Sequence, residues 1–291
     1  MKTYPKISIV TPSFNQSEYI EETILSVINQ NYPNLEYIII DGGSTDRSID
    51  IIKKYEKHIH YWISEKDNGM YEAINKGFRK STGEVLCWIN SDDIFFENSL
   101  FKVAEIFSQL NYVDWITGRC GYIDKEGNKT RVSRKKLYNQ ELLKSGFYKS
   151  PYSYLVNQNV VFWRRELWEK VGGVNEDLKC ASDFVLWTKF ANEAELFFVD
   201  YIFSAFRNHG ENLTYRLGIY AKEAMPYITF NYFALIKILF GKQYEGKQIE
   251  KIGNEYIITS EKLNPSYLQP INIIKNLIKY FIKKILNWRR T

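Results

Sequence analysis

Over the first 110 or so residues the apolar positions switch repeatedly between two periods. Ile7 to Val10 is a short β-rich apolar run, which predicts a buried strand. Ile20, Ile24, Val27 and Ile28 then recur at helical spacing, behind Asn15-x-x-Glu18, which has the form of a capping box. Tyr37 to Ile40 predicts the next strand, ended by Asp41-Gly42-Gly43. A second helix carries Ile49, Ile52 and Tyr55, and a third follows Gly69 with Met70, Ala73, Ile74 and Gly77. Val85 to Ile89 is another buried strand, ended by Asn90-Ser91-Asp92-Asp93. This alternation predicts an α/β fold whose mostly parallel sheet is flanked by helices.

Beyond residue 113 the pattern loosens. Glu126-Gly127-Asn128 reads as a hairpin turn. Val160 to Trp163 predicts a strand, Gly172-Gly173 breaks the chain, and a helix follows over about 182 to 192. Leu196 to Val199 and Ile202 to Phe206 read as two further short strands. From 218 the chain reads as a helical C-terminal extension. The organisation expected is therefore one domain over 1–217, in halves of about 1–112 and 113–217, followed by an extension over 218–291.

Composition narrows the class. With 45% hydrophobic and 25% charged residues over 291 positions, the chain has the make-up of a folded globular protein and is long enough for a sizeable core. Its net charge of +5 is concentrated in the tail, where residues 271–291 hold six bases and no acid. The remainder is close to neutral, which argues against a nucleic-acid partner. Cys87, Cys120 and Cys180 match neither a zinc nor a CxxC spacing, and such a sparse, odd set suits a reducing compartment. The N-terminus lacks the apolar stretch of a signal peptide, and no uninterrupted apolar run approaches the roughly 18 residues of a membrane span. Residues 271–288 instead place apolar side chains at 273, 274, 277, 278, 281, 282, 285 and 288, opposite a polar, basic face. Such a helix lies on an anionic membrane surface or covers the protein's own core or a partner subunit. Tyr227 to Phe240 is also strongly apolar and open to the same two readings.

In an open parallel sheet, ligands bind at the carboxyl ends of the strands. Two of those ends carry acids here: Asp41, and the pair Asp92-Asp93. Adjacent carboxylates repel, and a site that keeps both commonly shares a cation such as Mg²⁺ or Mn²⁺. The plainer alternative is a solvated loop capping a helix at Asn98-Ser99. Asp183, taken from the residues alone, is a helix N-cap. His58 and His60 end a helix, where the dipole favours them.

Several of these blocks resemble the family 2 glycosyltransferases. They are Ile7–Asn15 (ISIVTPSFN), Ser26–Pro33 (SVINQNYP), Ile39–Asp46 (IIDGGSTD), Ser64–Gly69 (SEKDNG), Ala73–Gly77 (AINKG), Ser81–Glu84 (STGE) and Leu86–Asp93 (LCWINSDD). In the second half, Gln158–Arg165, Trp168–Gly173 and Ala181–Trp187 (ASDFVLW) are similar to the family's acceptor-side segments. The blocks keep the family's order and spacing, and the resemblance covers about residues 5–210.

The resemblance implies a GT-A fold and an inverting, hexosyl-type transfer from a nucleotide diphosphate sugar, by family habit a UDP-sugar. It implies that Asp41 holds the nucleobase, that Thr11, Pro12 and Asn15 line the nucleotide pocket, and that Asp67 lies near base and ribose. Asn90 stands where many relatives have an acid, and Asp92 comes close to ribose or metal. Asp93 is the implied metal ligand for Mn²⁺ or Mg²⁺, joined by His209 as metal or diphosphate ligand and by Arg207 as a diphosphate contact. Asp183 aligns with the catalytic base. The acceptor expected is a glycan or lipid-linked sugar in cell-surface polysaccharide or glycolipid assembly, reached from the cytoplasm by a protein peripheral on the inner face of the plasma membrane. A membrane-held, catalytically silent nucleotide-sugar-binding scaffold is the alternative, disfavoured by the joint presence of Asp41, Asp93 and Asp183. A sugar-phosphate nucleotidyltransferase is disfavoured because Thr11-Pro12-Ser13-Phe14-Asn15 stands where its Gly-rich phosphate loop would be.

Overall fold

The structure, a computed structural model, describes residues 4–148, 156–212, 217–229 and 245–262. The first half is a run of crossovers: β1 (Ile7–Ser13), α1 (Ile20–Ile28), β2 (Leu35–Asp41), α2 (Ser48–Lys54), β3 (Tyr61–Ser64), α3 (Met70–Lys80) and β4 (Val85–Trp88). β1 and β4 are buried along their whole length and β2 nearly so, as expected of continuous apolar strands between helical layers. α3 lies so close on β1 that a Cβ at Gly77 would come within 2.5 Å of Val10 Cγ1. Any side chain at Gly77 would have to push the helix off the sheet.

The rest of the chain comprises β5 (Ile94–Phe95), α4 (Ser99–Gln109), β6 (Trp115–Ile123), β7 (Lys129–Val132), α5 (Gln140–Lys144), β8 (Val161–Arg164), α6 (Arg165–Val171), α7 (Ser182–Glu193), β9 (Leu196–Arg207), α8 (Leu217–Ala224), β10 (Glu245–Ile252) and β11 (Glu255–Lys262). The main sheet runs β11-β10-β9-β6-β8-β4-β1-β2-β3, with β5 on β9 and β7 on β6. Along that path only β8 and β11 oppose the other strands. Trp88, Trp115, Trp163 and Trp187 pack ring against ring at the centre, joining β4, β6, β8 and α7.

Four expectations change. Asn15 and Glu18 form no capping box: α1 starts after Tyr19 without a side-chain cap, Asn15 Oδ1 accepts from Thr45 N at 2.9 Å, and Glu18 pairs with Lys125. The two short strands expected over 196–206 are one, β9, which passes through Asp200 and absorbs the irregularity as register shifts against β6. α7 begins after Ala181, so Asp183 lies inside the first turn and is not the N-cap. Within the extension, 217–224 is helical, but 245–262 forms a hairpin whose β10 bonds to β9. The sheet therefore runs across the division expected at 217. The apolar stretch from 230 to 240 and the basic tail over 271–288 lie outside the described residues.

Candidate active site

The ladders bring the strand ends to one rim. Ser13 is registered with Asp41, and Asp41 with Ser64, across the carboxyl ends of β1, β2 and β3. On the other side of β1, Val10 is opposite Trp88, after which β4 runs into Asn90–Asp93. Here, between β1 and β4, successive crossovers turn to opposite sides and leave a crevice.

Asp41 is fully buried. Its carboxylate accepts from Gly43 N (3.1 Å), Ser44 N (2.8 Å), Ser44 Oγ (2.5 Å) and Ser64 Oγ (2.7 Å). Ser44 Oγ also accepts from Asn15 N at 2.8 Å, so the β1 and β2 turns are tied through one hydroxyl. Asn15 has φ of +50°, tolerable for an asparagine. Thr11 is buried with its hydroxyl on Tyr37 Oη at 3.1 Å, and Pro12 is buried beside it. Thr11, Pro12 and Asp41, which the sequence reading set against the nucleotide, are buried at the strand ends that make up the rim. Asn15 is exposed, and Asp67 and Asn90 are half-buried. Asp67 lies against Gly42, and burial raises its carboxyl above the usual range, partly offset by the Gly69 N–H.

At the end of β4 the two aspartates face different ways. Asp93 is buried, its Oδ1 accepting from Arg207 N at 2.9 Å. Burial, then the neighbouring Asp92 charge, push its carboxyl well above the usual range. Asp92 Oδ2 lies 3.0 Å from His209 Nε2 and 3.3 Å from Asn212 Nδ2. His209 stacks on Tyr19 with ring centroids 5.0 Å apart. The partner of His209 is thus Asp92 and not Asp93, which received the metal in the sequence reading.

Arg207 is only 1% exposed, so it is not open to a diphosphate as expected. Its Nε donates to Asp92 O at 2.9 Å, its Nη1 to Lys125 O at 3.2 Å, and its Nη2 to Glu22. The guanidinium also lies over Tyr19, 5.2 Å from the ring centroid. Arg207 thereby fastens the Asp92–Asp93 turn to α1 and to the turn after β6.

Asp183 approaches the rim from the other half. Ser182 N donates to Tyr71 Oη at 3.2 Å, and Lys179 Nζ to Asn68 O at 3.1 Å. The start of α7 is thereby held on the loop that follows Asp67. The unpaired N–H groups there are met by Glu223 of α8, whose carboxylate accepts from Lys179 N (2.8 Å), Cys180 N (2.8 Å) and Ala181 N (3.1 Å). Asp183 Oδ1 accepts from Phe184 N at 2.8 Å. Burial pushes its carboxyl up to about 6, against the lowering effect of that bond. A small cavity beside it is lined by Leu143, Tyr148, Val156, Phe184 and Trp187.

A rim of buried strand ends, an Asp–His pair and a desolvated carboxyl suits transfer chemistry at a nucleotide-bound group. The family model described as glycosyl transferase family 2 matches residues 8–165, more than half of the chain. The chain belongs to this family. An uncharacterized glycosyltransferase of Rickettsia typhi is 29% identical over 213 residues, 72% of this chain and 66% of that protein. TuaG of Bacillus subtilis, named for teichuronic acid biosynthesis, is 36% identical over 117 residues, 39% of this chain and 46% of that protein. The chain thus spans less than two thirds of the length of either relative. Among solved structures, S. aureus TarS 1–349 in complex with UDP-GlcNAc is similar at a TM-score of 0.58 and 20% identity, covering 72% of this chain and 60% of that one. A Pyrobaculum calidifontis mannosyltransferase in complex with GDP-Man and Mn²⁺ gives 0.56 at 19% identity, covering 77% and 65%. These likenesses show that the family 2 chain has the GT-A fold.

A divalent cation fits the residues present. Asp92 Oδ2 and His209 Nε2 face each other at 3.0 Å. Asn90 Oδ1 and Asp93 Oδ2, in the same turn, are buried with no hydrogen-bond partner among the described residues, as is Ser13 Oγ at the end of β1. A bound ion or water at these strand ends would satisfy such buried oxygens. No group of three or more His, Cys, Asp or Glu side chains gathers among the described residues. Mg²⁺ and Mn²⁺ need no such group, since they commonly rest on one or two protein ligands and take the others from phosphate and water.

Sequence reasoning missed Tyr19, Glu22, Tyr71, Asn212 and Glu223. Glu22 and Arg207 are 185 positions apart, and no local pattern in the chain links them.

Proposed function

We propose that this chain moves a sugar from a nucleotide diphosphate donor, a UDP-sugar, to an acceptor hydroxyl with inversion, in the assembly of a surface polysaccharide. The observation that carries this reading is Asp183: it follows a backbone held by Tyr71 and Glu223, and its carboxyl, without a cationic partner among the described residues, is raised by burial to about 6. A general base is most effective when its pKa lies close to the working pH. Asp183 would take the proton from the acceptor hydroxyl as that oxygen attacks the anomeric carbon from the face opposite the diphosphate. One displacement inverts the centre and needs a single carboxylate at the reacting carbon.

Asp92 and His209 are the proposed ligands of Mn²⁺ or Mg²⁺, which in GT-A chemistry neutralises the departing diphosphate as a Lewis acid. Arg207 keeps Asp92 and Tyr19 in place. Asn15, Asp67 and Asn90 offer polar atoms to the nucleotide, while Asp41, Thr11 and Pro12 give their turns a fixed shape. TarS with UDP-GlcNAc and the mannosyltransferase with GDP-Man and Mn²⁺ make both the donor class and the cation reasonable for this fold.

The test is Asp183→Asn. We expect transfer to fall by about a hundredfold or more, with UDP binding retained in calorimetry. Near-native turnover would remove Asp183 as the base. For the cation, Asp92→Ala and Asp93→Ala should each weaken Mn²⁺ binding followed by electron paramagnetic resonance, Asp92→Ala the more strongly. The opposite ranking would return the metal to Asp93.

A further inference from the structure

Tyr19 belongs to the first half of the fold by its backbone and to the second by its ring. It precedes α1, where Tyr19 N donates to Gln16 O at 3.0 Å and Thr23 N donates to Tyr19 O at 3.2 Å. The loop ahead of it is tied to the β2–α2 turn and the start of α2, Ser17 N donating to Asp46 Oδ2 and Gln16 N to Ser48 Oγ, each at 2.9 Å. Tyr19 is 8% exposed, and its ring meets two residues at and just beyond the end of β9. The His209 imidazole stacks on it, with centroids 5.0 Å and planes 26° apart. The Arg207 guanidinium lies 5.2 Å from the same centroid. Both distances fall in the range where an aromatic face attracts a neighbouring ring or a cation.

Little else holds the His209 ring. Its Nε2 lies 3.0 Å from Asp92 Oδ2, and its backbone N donates to Asn212 Oδ1 at 3.2 Å. A histidine that binds a metal is commonly aimed by a hydrogen bond on its other ring nitrogen. Nδ1 of His209 makes none among the described residues. A cation bound by both Asp92 Oδ2 and His209 Nε2 would occupy the two atoms that form the 3.0 Å contact, so that contact could no longer orient the ring. The bond from His209 N fixes where the residue is, not how its ring is turned. The face of Tyr19 is left as the contact that sets the imidazole plane.

We propose that Tyr19 is the positioning residue of the cation site, setting the plane of the His209 imidazole so that Nε2 and Asp92 Oδ2 serve one divalent ion. This rests on the cation ligands proposed above, and two readouts on the full-length protein keep the two failures apart. The first is Mn²⁺ affinity without nucleotide, followed by electron paramagnetic resonance. Tyr19→Leu should weaken it about tenfold, whereas Tyr19→Phe, which keeps the aromatic face, should bind as the native chain does. In a His209→Ala background, Tyr19→Leu should cause no further loss. The second readout needs no metal. The chain has three histidines, so the His209 ring can be followed by NMR on histidine-labelled protein, its signal identified by its loss in His209→Ala. Tyr19→Leu should broaden or split that signal and leave those of His58 and His60 unchanged. Melting temperature and UDP affinity without cation report whether the fold is intact. Should Tyr19→Leu not fold, Tyr19→Met keeps the bulk without the aromatic face. Native Mn²⁺ affinity and a sharp His209 signal in a folded Tyr19→Leu or Tyr19→Met chain would overturn the proposal. So would a further loss in the His209→Ala background, which would make Tyr19 act through Arg207 and Asp92 alone. Unchanged Mn²⁺ affinity in His209→Ala would remove His209 as a ligand, and this role with it, whatever Tyr19→Leu did.

Discussion

The Asp183 carboxyl is raised to about 6 because the apolar residues around it remove water and no cation sits beside it among the described residues. This has two consequences that can be separated. As a base it must be deprotonated, so kcat/KM should fall below an apparent pKa of about 6 and level off above it. As a half-buried group drawn largely out of water, its folded pKa lies above the 3.8 of an unburied aspartate. Its favourable contribution to stability is therefore complete below 3.8 and is lost as pH rises through about 6. At pH 8 the charged carboxylate destabilises the fold by about 1–3 kcal/mol. Asp183→Asn should accordingly melt a few degrees higher than the native chain at pH 8, and the gap should shrink at pH 4. A variant that melts lower at pH 8 would mean that the carboxylate is held by partners absent from the structure. The role proposed for Asp183 is readable only through the ASDFVLW block, since an isolated aspartate near a helix start reads as a cap. Which of the adjacent Asp92 and Asp93 turns inward was not legible at all: Asp93 Oδ1 accepts from the backbone N–H of Arg207, over a hundred positions away.

At the level of elements, the strands of the first half were legible because those buried on both faces are written in continuous Ile, Val and Leu. β3 was not, since Tyr61–Ser64 is short and half-buried along its length. β9 read as two strands because Asp200 and Tyr201 interrupt its apolar run, although Asp200 simply turns outward to Arg119, 2.6 Å away. α8 gives the clearest case of an element whose function lies in another. Its Glu223 accepts three backbone N–H groups ahead of α7 and so fixes the loop that leads into Asp183. Glu223→Ala would leave those donors without partners, costing on the order of 1–3 kcal/mol. Glu223→Ala should lower kcat with UDP affinity unchanged, and speed hydrogen exchange at Lys179, Cys180 and Ala181. Exchange at native rates would show that water satisfies the same donors and that α8 is dispensable for the site.

At the scale of the whole molecule, the family resemblance ends near residue 210 and the family match at 165, yet the sheet does not end at either point. β10 adds to β9 in parallel, Lys247 opposite Phe197 and Ile249 opposite Val199. Ile249 and Tyr256 are buried in the main core, and Tyr256 Oη reaches Glu105 of α4 at 2.7 Å. The hairpin was illegible as strand because Lys, Gln and Glu dominate its exposed side. The sequence alone therefore suggests a boundary at 217 that the fold does not respect. A chain cut after 217 would lose Glu223 from the α7 loop and uncover one edge of β9 along Phe197–Val199, an unpaired apolar edge of the kind that drives association between sheets. We expect that fragment to aggregate in light scattering and to melt well below the full chain. A chain cut after 262 keeps every described strand and should melt like the full protein. It also removes the six bases of residues 271–291, so it should lose binding to phosphatidylglycerol vesicles while UDP affinity persists. If the 217 fragment is monomeric and melts at the native temperature, β10 and β11 are an appendage rather than part of the sheet's stability. If the 262 chain still floats with vesicles, membrane attachment belongs to some other surface.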